Sequence, residues 1–82
     1  MFEAILRGRA RASRERLSGP EREDLDATIA RIEVDPWLDR RTKFELPMPP
    51  LIFWMYRDGV WRIAYRAVDD AFIAIEEIQR LL

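Results

Sequence analysis

Two kinds of hydrophobic spacing run along this chain, and one gives way to the other near residue 40. Before that point, "FEAIL" at 2–6 is a short apolar run that predicts a first strand. In "GRARASRERL", Ala10, Ser13 and Leu17 recur at helical spacing with arginines between them. That spacing predicts an amphipathic helix with a narrow apolar face and a basic outer side. "SGPE" restarts the chain: Ser18 and Glu21 have capping-box spacing, and Pro20 stands where a missing N–H costs least. A second helix over about 20–33 then carries Leu25, Ile29 and Ile32 on one stripe. Glu21, Glu23, Asp24 and Asp26 crowd its first turns, the sign that suits the positive end of the helix dipole. Asp35-Pro36 ends it, because a residue before proline is pushed out of the helical region.

From Arg40 the period shortens to two. "RRTKFELP" sets Arg41, Lys43 and Glu45 against Thr42, Phe44 and Leu46, a strand with one charged face, and "PMPP" predicts its end. "LIFWMYR" and "VWRIAYRAV" flank Asp58-Gly59, the strongest hairpin signal in the chain. "AFIAIEEIQRLL" supplies a last strand after a turn at Asp69-Asp70. The expected fold class is α+β, with two N-terminal helices packed on one face of a small antiparallel β-sheet. At 82 residues the chain suffices for one domain over 1–82, with a single modest core.

A two-residue loop at Asp58-Gly59 fixes a register. Tyr56 then opposes Trp61, Trp54 opposes Ile63 and Ile52 opposes Tyr65, an aromatic face suited to receive the helices. The other face carries Met55 opposite Arg62, Phe53 opposite Ala64 and Leu51 opposite Arg66. Charges need pairing or water, so the two arginines belong to a face that the helices leave open. Their Cα atoms are expected roughly 13 Å apart. Lys43 and Arg41 join them if the preceding strand turns its charged face the same way.

The last strand has two registers. A two-residue loop at Asp69-Asp70 puts Ile73, Ile75 and Glu77 on the arginine face. A three-residue loop puts Phe72, Ala74, Glu76, Ile78 and Arg80 there instead. In both, one glutamate of the pair reaches the neighbourhood of Arg62. Cations among apolar side chains suit a nucleic-acid strand, with phosphates held and bases stacked. They equally suit an amphipathic partner helix. Leu51, Phe53 and Met55 are the candidate partner-binding residues, and a second copy of the chain is another occupant for them. The structural alternative is that Arg62 and Arg66 are solvated residues paired with Glu45, Glu76 or Glu77.

Composition narrows the chemistry. The chain has neither cysteine nor histidine, which removes disulfides, thiolate metal sites, a cysteine nucleophile and the commonest neutral-pH base. No metal and no cofactor are expected. The net charge of −1 argues against strong indiscriminate binding to nucleic acid, although a local basic site survives it. Arg7, Arg9, Arg11, Arg14 and Arg16 read as a solvated helix face. They also interrupt any apolar stretch of signal-peptide length, and no run approaches a membrane span. A cytoplasmic protein without membrane contact is the expectation.

The order of these elements, with Asp35-Pro36 closing the second helix and "DGVWRIAYRAVDDAFIAIEEIQR" following, resembles the RelE/ParE superfamily of bacterial toxins from toxin–antitoxin pairs. The resemblance implies a cognate antitoxin as partner. RelE-like members cut messenger RNA on the ribosome, whereas ParE-like members share the fold and inhibit DNA gyrase. By motif, Arg62 is similar to the arginine set on the scissile phosphate, and Arg80 resembles the arginine near the end of the last strand. Lys43 and Glu45 fall where family members carry catalytic basic or acidic residues. Arg66 is a further candidate for the developing charge. A 2′-hydroxyl would attack the adjacent phosphorus, leaving a cyclic phosphate and a free 5′-hydroxyl. The alternative is a non-enzymatic binder of the same fold, either a gyrase inhibitor or an inactive antitoxin-binding relative. RelE-like enzymes often place a tyrosine or histidine beyond the last strand as the acid, and neither residue follows Tyr65 here.

Overall fold

In a computed structural model, the structure describes residues 1–37, 43–48 and 51–81. The elements are β1 (Glu3–Leu6), α1 (Gly8–Glu15), α2 (Gly19–Val34), β2 (Lys43–Met48), β3 (Leu51–Asp58), β4 (Trp61–Ala67) and β5 (Phe72–Arg80). The expected capping box starts α2. The Glu21 N–H donates to Ser18 Oγ at 3.5 Å, and the Ser18 N–H donates to Glu21 Oε1 at 3.1 Å. The C-terminal end of α1 has no glycine cap. Arg22 reaches back from α2 and donates to the carbonyls of Arg14 (3.3 Å), Glu15 (3.1 Å) and Leu17 (3.1 Å). Arg22→Ala is expected to cost about 1–2 kcal/mol, read as a lower denaturant midpoint with unchanged slope.

Arg14 clamps Asp26 through two bonds of 2.9 and 2.8 Å, which holds the Asp26 carboxyl below its ordinary range. Glu21 is lowered too, first by its bonds from Ser18 and then by Arg80. Both groups bind protons more readily in the unfolded chain. Their stabilisation is therefore complete above the ordinary carboxylate range near pH 4 and is lost as pH falls through the lowered folded values. The denaturant midpoint should drop between about pH 5 and pH 2, and Asp26→Asn should flatten part of that drop.

The sheet order is β1-β5-β4-β3-β2. It is antiparallel from β2 to β5, as expected, while β1 adds in parallel to β5, with Glu3 opposite Phe72 and Leu6 opposite Ile75. The end of α2 covers the outer edge of β1: Glu33 accepts from the Ala4 N–H at 2.8 Å through its carboxylate and from the Phe2 N–H at 2.9 Å through its carbonyl. At the opposite edge β2 runs through Pro47 to Met48 rather than stopping at "PMPP", which an edge strand permits.

The hairpin loop is Gly59-Val60, one residue later than the sequence suggests. Asp58 pairs with Trp61, Tyr56 with Ile63 and Trp54 with Tyr65. Gly59 has φ 58 and, among the described residues, no other residue has a positive φ. Glycine first in the loop with an ordinary second residue is the type II′ demand, whereas a loop at Asp58-Gly59 would need two left-handed residues. Moving the loop by one residue shifts the pairing by two, so the face assignment survives. Tyr56, Trp61, Ile63 and Tyr65 are buried against Leu25, Ile29 and Ile32 of α2. The Trp61 indole N–H donates to Asp24 at 2.8 Å, pinning α2 to β4. Ile52, expected in this floor, is 55% exposed, because the pairing with β4 ends at Trp54 and Tyr65.

Strand β5 contains a bulge. Ala64 faces Glu77 but Tyr65 faces Ile75, leaving Glu76 as the extra residue. Strict alternation would send Ile75 and Ile78 to opposite faces, yet both are buried with the core. One inserted residue resolves the conflict, so each of the two expected registers holds for half of the strand. Phe72 and Ala74 share the arginine face before the bulge, and Glu77 and Gln79 share it afterwards.

Candidate functional site

The sheet face turned away from the helices carries Arg62 and Arg66, as the face assignment predicts, but Arg57 rather than Met55 stands opposite Arg62. Arg62 is exposed and, among the described residues, makes no ion pair. Arg66 is engaged: its Nε donates to Glu76 Oε1 at 3.1 Å, and Arg7 Nε lies 4.0 Å from the same oxygen. The bulge thus joins β4 to the β1–α1 junction through one carboxylate.

A hollow of about 630 Å³ opens on this face, lined by Arg7, Gly8, Arg9, Phe53, Met55, Arg62, Ala64, Glu76 and Glu77. Its narrower extension lies between Met55, Arg62, Ala64, Glu77 and Gln79. The volume is within the range of small-molecule and single-nucleotide sites. Three guanidinium groups and two carboxylates meet over an apolar floor. Of that floor, Met55 is 8% exposed and Phe53 is half-buried, while Leu51, farther along β3, is 46% exposed. The apolar part of the face is therefore less open than the sequence implied: Arg62 and the acids crowd over Met55.

Three of the residues suggested by resemblance lie elsewhere. Lys43 pairs with Tyr56 and Glu45 with Trp54, so both belong to the helix-side face. The Lys43 ammonium is 5.8 Å from the Tyr56 ring centroid and the residue is 8% exposed, a cation resting on an aromatic face. Burial, first of all, pushes the Tyr56 phenol above its ordinary value, and its hydroxyl donates to Asp58 at 3.2 Å. Arg80 stands opposite Trp61 and ion-pairs with Glu21 at the start of α2. The expectation that Lys43 joins Arg62 and Arg66 is corrected by this pairing, and Arg41 lies outside the described residues. The charged alternation of β2 was legible, but its handedness depends on which β3 residue each charge faces.

Arg7 and Arg9 are the site residues that the sequence reading missed. In a helical pattern they look like solvent-facing charges. Only the parallel pairing of β1 with β5, which continues to the Arg7 N–H on the Ile75 carbonyl at 2.9 Å, brings the "RGR" junction beside the bulge. Among the described residues, no group of three or more acids is placed to hold a metal ion, and no helix is long and apolar enough to cross a membrane.

A mixed sheet backed by two helices on one face, with an arginine-lined hollow on the other, defines the architecture. No protein-family model and no curated protein matches the chain. Among solved structures, it is similar to the crystal structure of the archaeal RelE–RelB complex from Pyrococcus horikoshii OT3. The TM-score is 0.73, with 98% of this chain and 94% of that chain covered at 14% identity. The fold is RelE-like.

Proposed function

We propose that residues 1–82 act as the toxin of a cytoplasmic toxin–antitoxin pair, a RelE-like ribosome-dependent mRNA endoribonuclease with its cleavage site in the hollow around Arg62. The observation that carries this reading is the gathering of Arg7, Arg9 and Arg62 with Glu76 and Glu77 in one open hollow. Guanidinium groups hold phosphate oxygens and stabilise the charge that grows on them as the 2′-oxygen attacks. Phe53, half-buried at the edge of the same hollow, offers a surface for a base. Arg66, tied to Glu76, braces this arrangement. The neighbouring fold was solved as a RelE–RelB complex, which supports an antitoxin as partner. Its proposed seat is the apolar surface at Leu51 and Phe53.

A second reading is favoured by one observation: Lys43, Glu45 and Arg80 do not share the face of Arg62. A non-enzymatic binder, inhibiting gyrase or pairing only with its antitoxin, needs no such assembly. Induced expression of the chain alone, with growth followed and message ends mapped, separates the two. Growth arrest with new 5′-hydroxyl ends inside translated codons is the expected result. Arrest with intact messages and broken DNA would favour gyrase inhibition, and no arrest from folded, soluble protein would leave a binding module.

A further inference from the structure

We propose that Glu77 is the general base of this site, taking the 2′-hydroxyl proton from the ribose whose phosphate Arg62 holds; the assignment rests on the ribonuclease reading above. A base for that step must share the face of the phosphate-holding guanidinium. Glu45 does not, since it faces the helix side with Trp54. The hollow offers two carboxylates. Glu76 is committed through Oε1 to Arg66 and Arg7. Glu77 is exposed, lines both the hollow and its narrow extension beside Arg62, and among the described residues has no ion pair or hydrogen-bond partner.

The bulge creates this placement. Glu77 stands opposite Ala64 and Arg62 opposite Gln79, so the two are diagonal neighbours on one face, about 7–8 Å apart at the backbone. The small side chain of Ala64 leaves the space between them open. A phosphodiester seated there points a phosphoryl oxygen at Arg62 and the neighbouring 2′-oxygen at Glu77. The O2′–P bond forms as the P–O5′ bond breaks, and the 2′ proton passes to the Glu77 carboxylate. The departing 5′-oxygen takes a proton from water, and the hydroxide left behind removes the proton from Glu77, so the balance closes. Arg7 and Arg9 offset the repulsion between the carboxylates and the RNA backbone.

The test is cleavage of ribosome-bound message by the purified full chain, comparing Glu77→Gln, Glu77→Asp and Glu45→Gln with the unaltered protein. Glu77→Gln should lower kcat about 10²–10⁴-fold with KM within about twofold. Glu77→Asp should restore part of kcat, which a purely structural role would not predict. Because Glu77 is exposed, both variants should keep the parent's denaturant midpoint. Wild-type kcat in Glu77→Gln, a loss confined to KM, or a comparable kcat loss in Glu45→Gln would each overturn the assignment. No cleavage by the unaltered protein would overturn the ribonuclease reading itself, and the assignment with it.

Discussion

Tyr65→Ala should lower the melting temperature of the chain by about 12–40 °C. Tyr65 is fully buried at the centre of β4, its ring lies 6.1 Å from that of Trp37, and its hydroxyl donates to the Pro36 carbonyl at 2.6 Å. That bond fixes the path of the chain as it leaves α2. Truncating a large buried aromatic ring costs about 3–5 kcal/mol. A domain of this length has roughly 4–12 kcal/mol in total, so this one residue carries between about a quarter and all of it. Tyr65→Phe keeps the ring and strands only the carbonyl, at a cost of about 1–3 kcal/mol. Burial also pushes the phenol well above its ordinary value. The folded chain therefore resists ionisation that the unfolded chain undergoes near pH 10, and stability should fall as pH rises past that point. Thermal melts of the three proteins by near- and far-ultraviolet circular dichroism check the series. A cooperative Tyr65→Ala transition within about 1 kcal/mol of the parent would remove Tyr65 from the centre of this account.

Much of this architecture was legible because local chemistry and burial agree. Ser18, Pro20 and Glu21 announce α2, and its apolar stripe of Leu25, Ile29 and Ile32 is buried as its spacing requires. The two faces of the hairpin were readable even though the loop position was not, since a shift of two preserves face identity. What escaped the sequence are the facts that depend on neighbours distant in the chain. The side taken by Lys43 and Glu45 is set by their partners in β3, and the place of Arg7 and Arg9 by β1 joining β5. The bulge lies between these cases. Its signal was present in Ile75 and Ile78, two core residues at a spacing that no regular strand can bury on one face, but the choice between registers concealed it.

Arg62→Ala should abolish growth arrest and lower cleavage about 10²–10³-fold, the scale expected when one preorganised donor to a developing oxyanion is removed. The fold should not notice. Arg62 is exposed and holds no ion pair among the described residues, so the unfolding free energy should stay within about 0.5 kcal/mol of the parent. Antitoxin binding should be largely intact if its seat is the proposed one, because Leu51 and Phe53 are unaltered. Arg66 and Arg80 make the comparison sharp. Arg66→Ala frees Glu76 and slackens the tie to Arg7, so it should alter activity less and stability more. Arg80→Ala breaks a pair with Glu21 on the opposite face and should affect stability alone. The order Arg62, then Arg66, then Arg80 in cleavage is thus a statement about which guanidinium is free to meet a phosphate. A fully toxic Arg62→Ala protein producing the same message ends would show that the phosphate is held elsewhere. Equal losses at Arg62 and Arg80 would mean that the two faces of the sheet act on one substrate, which the pairing of β4 with β5 forbids for a single rigid site.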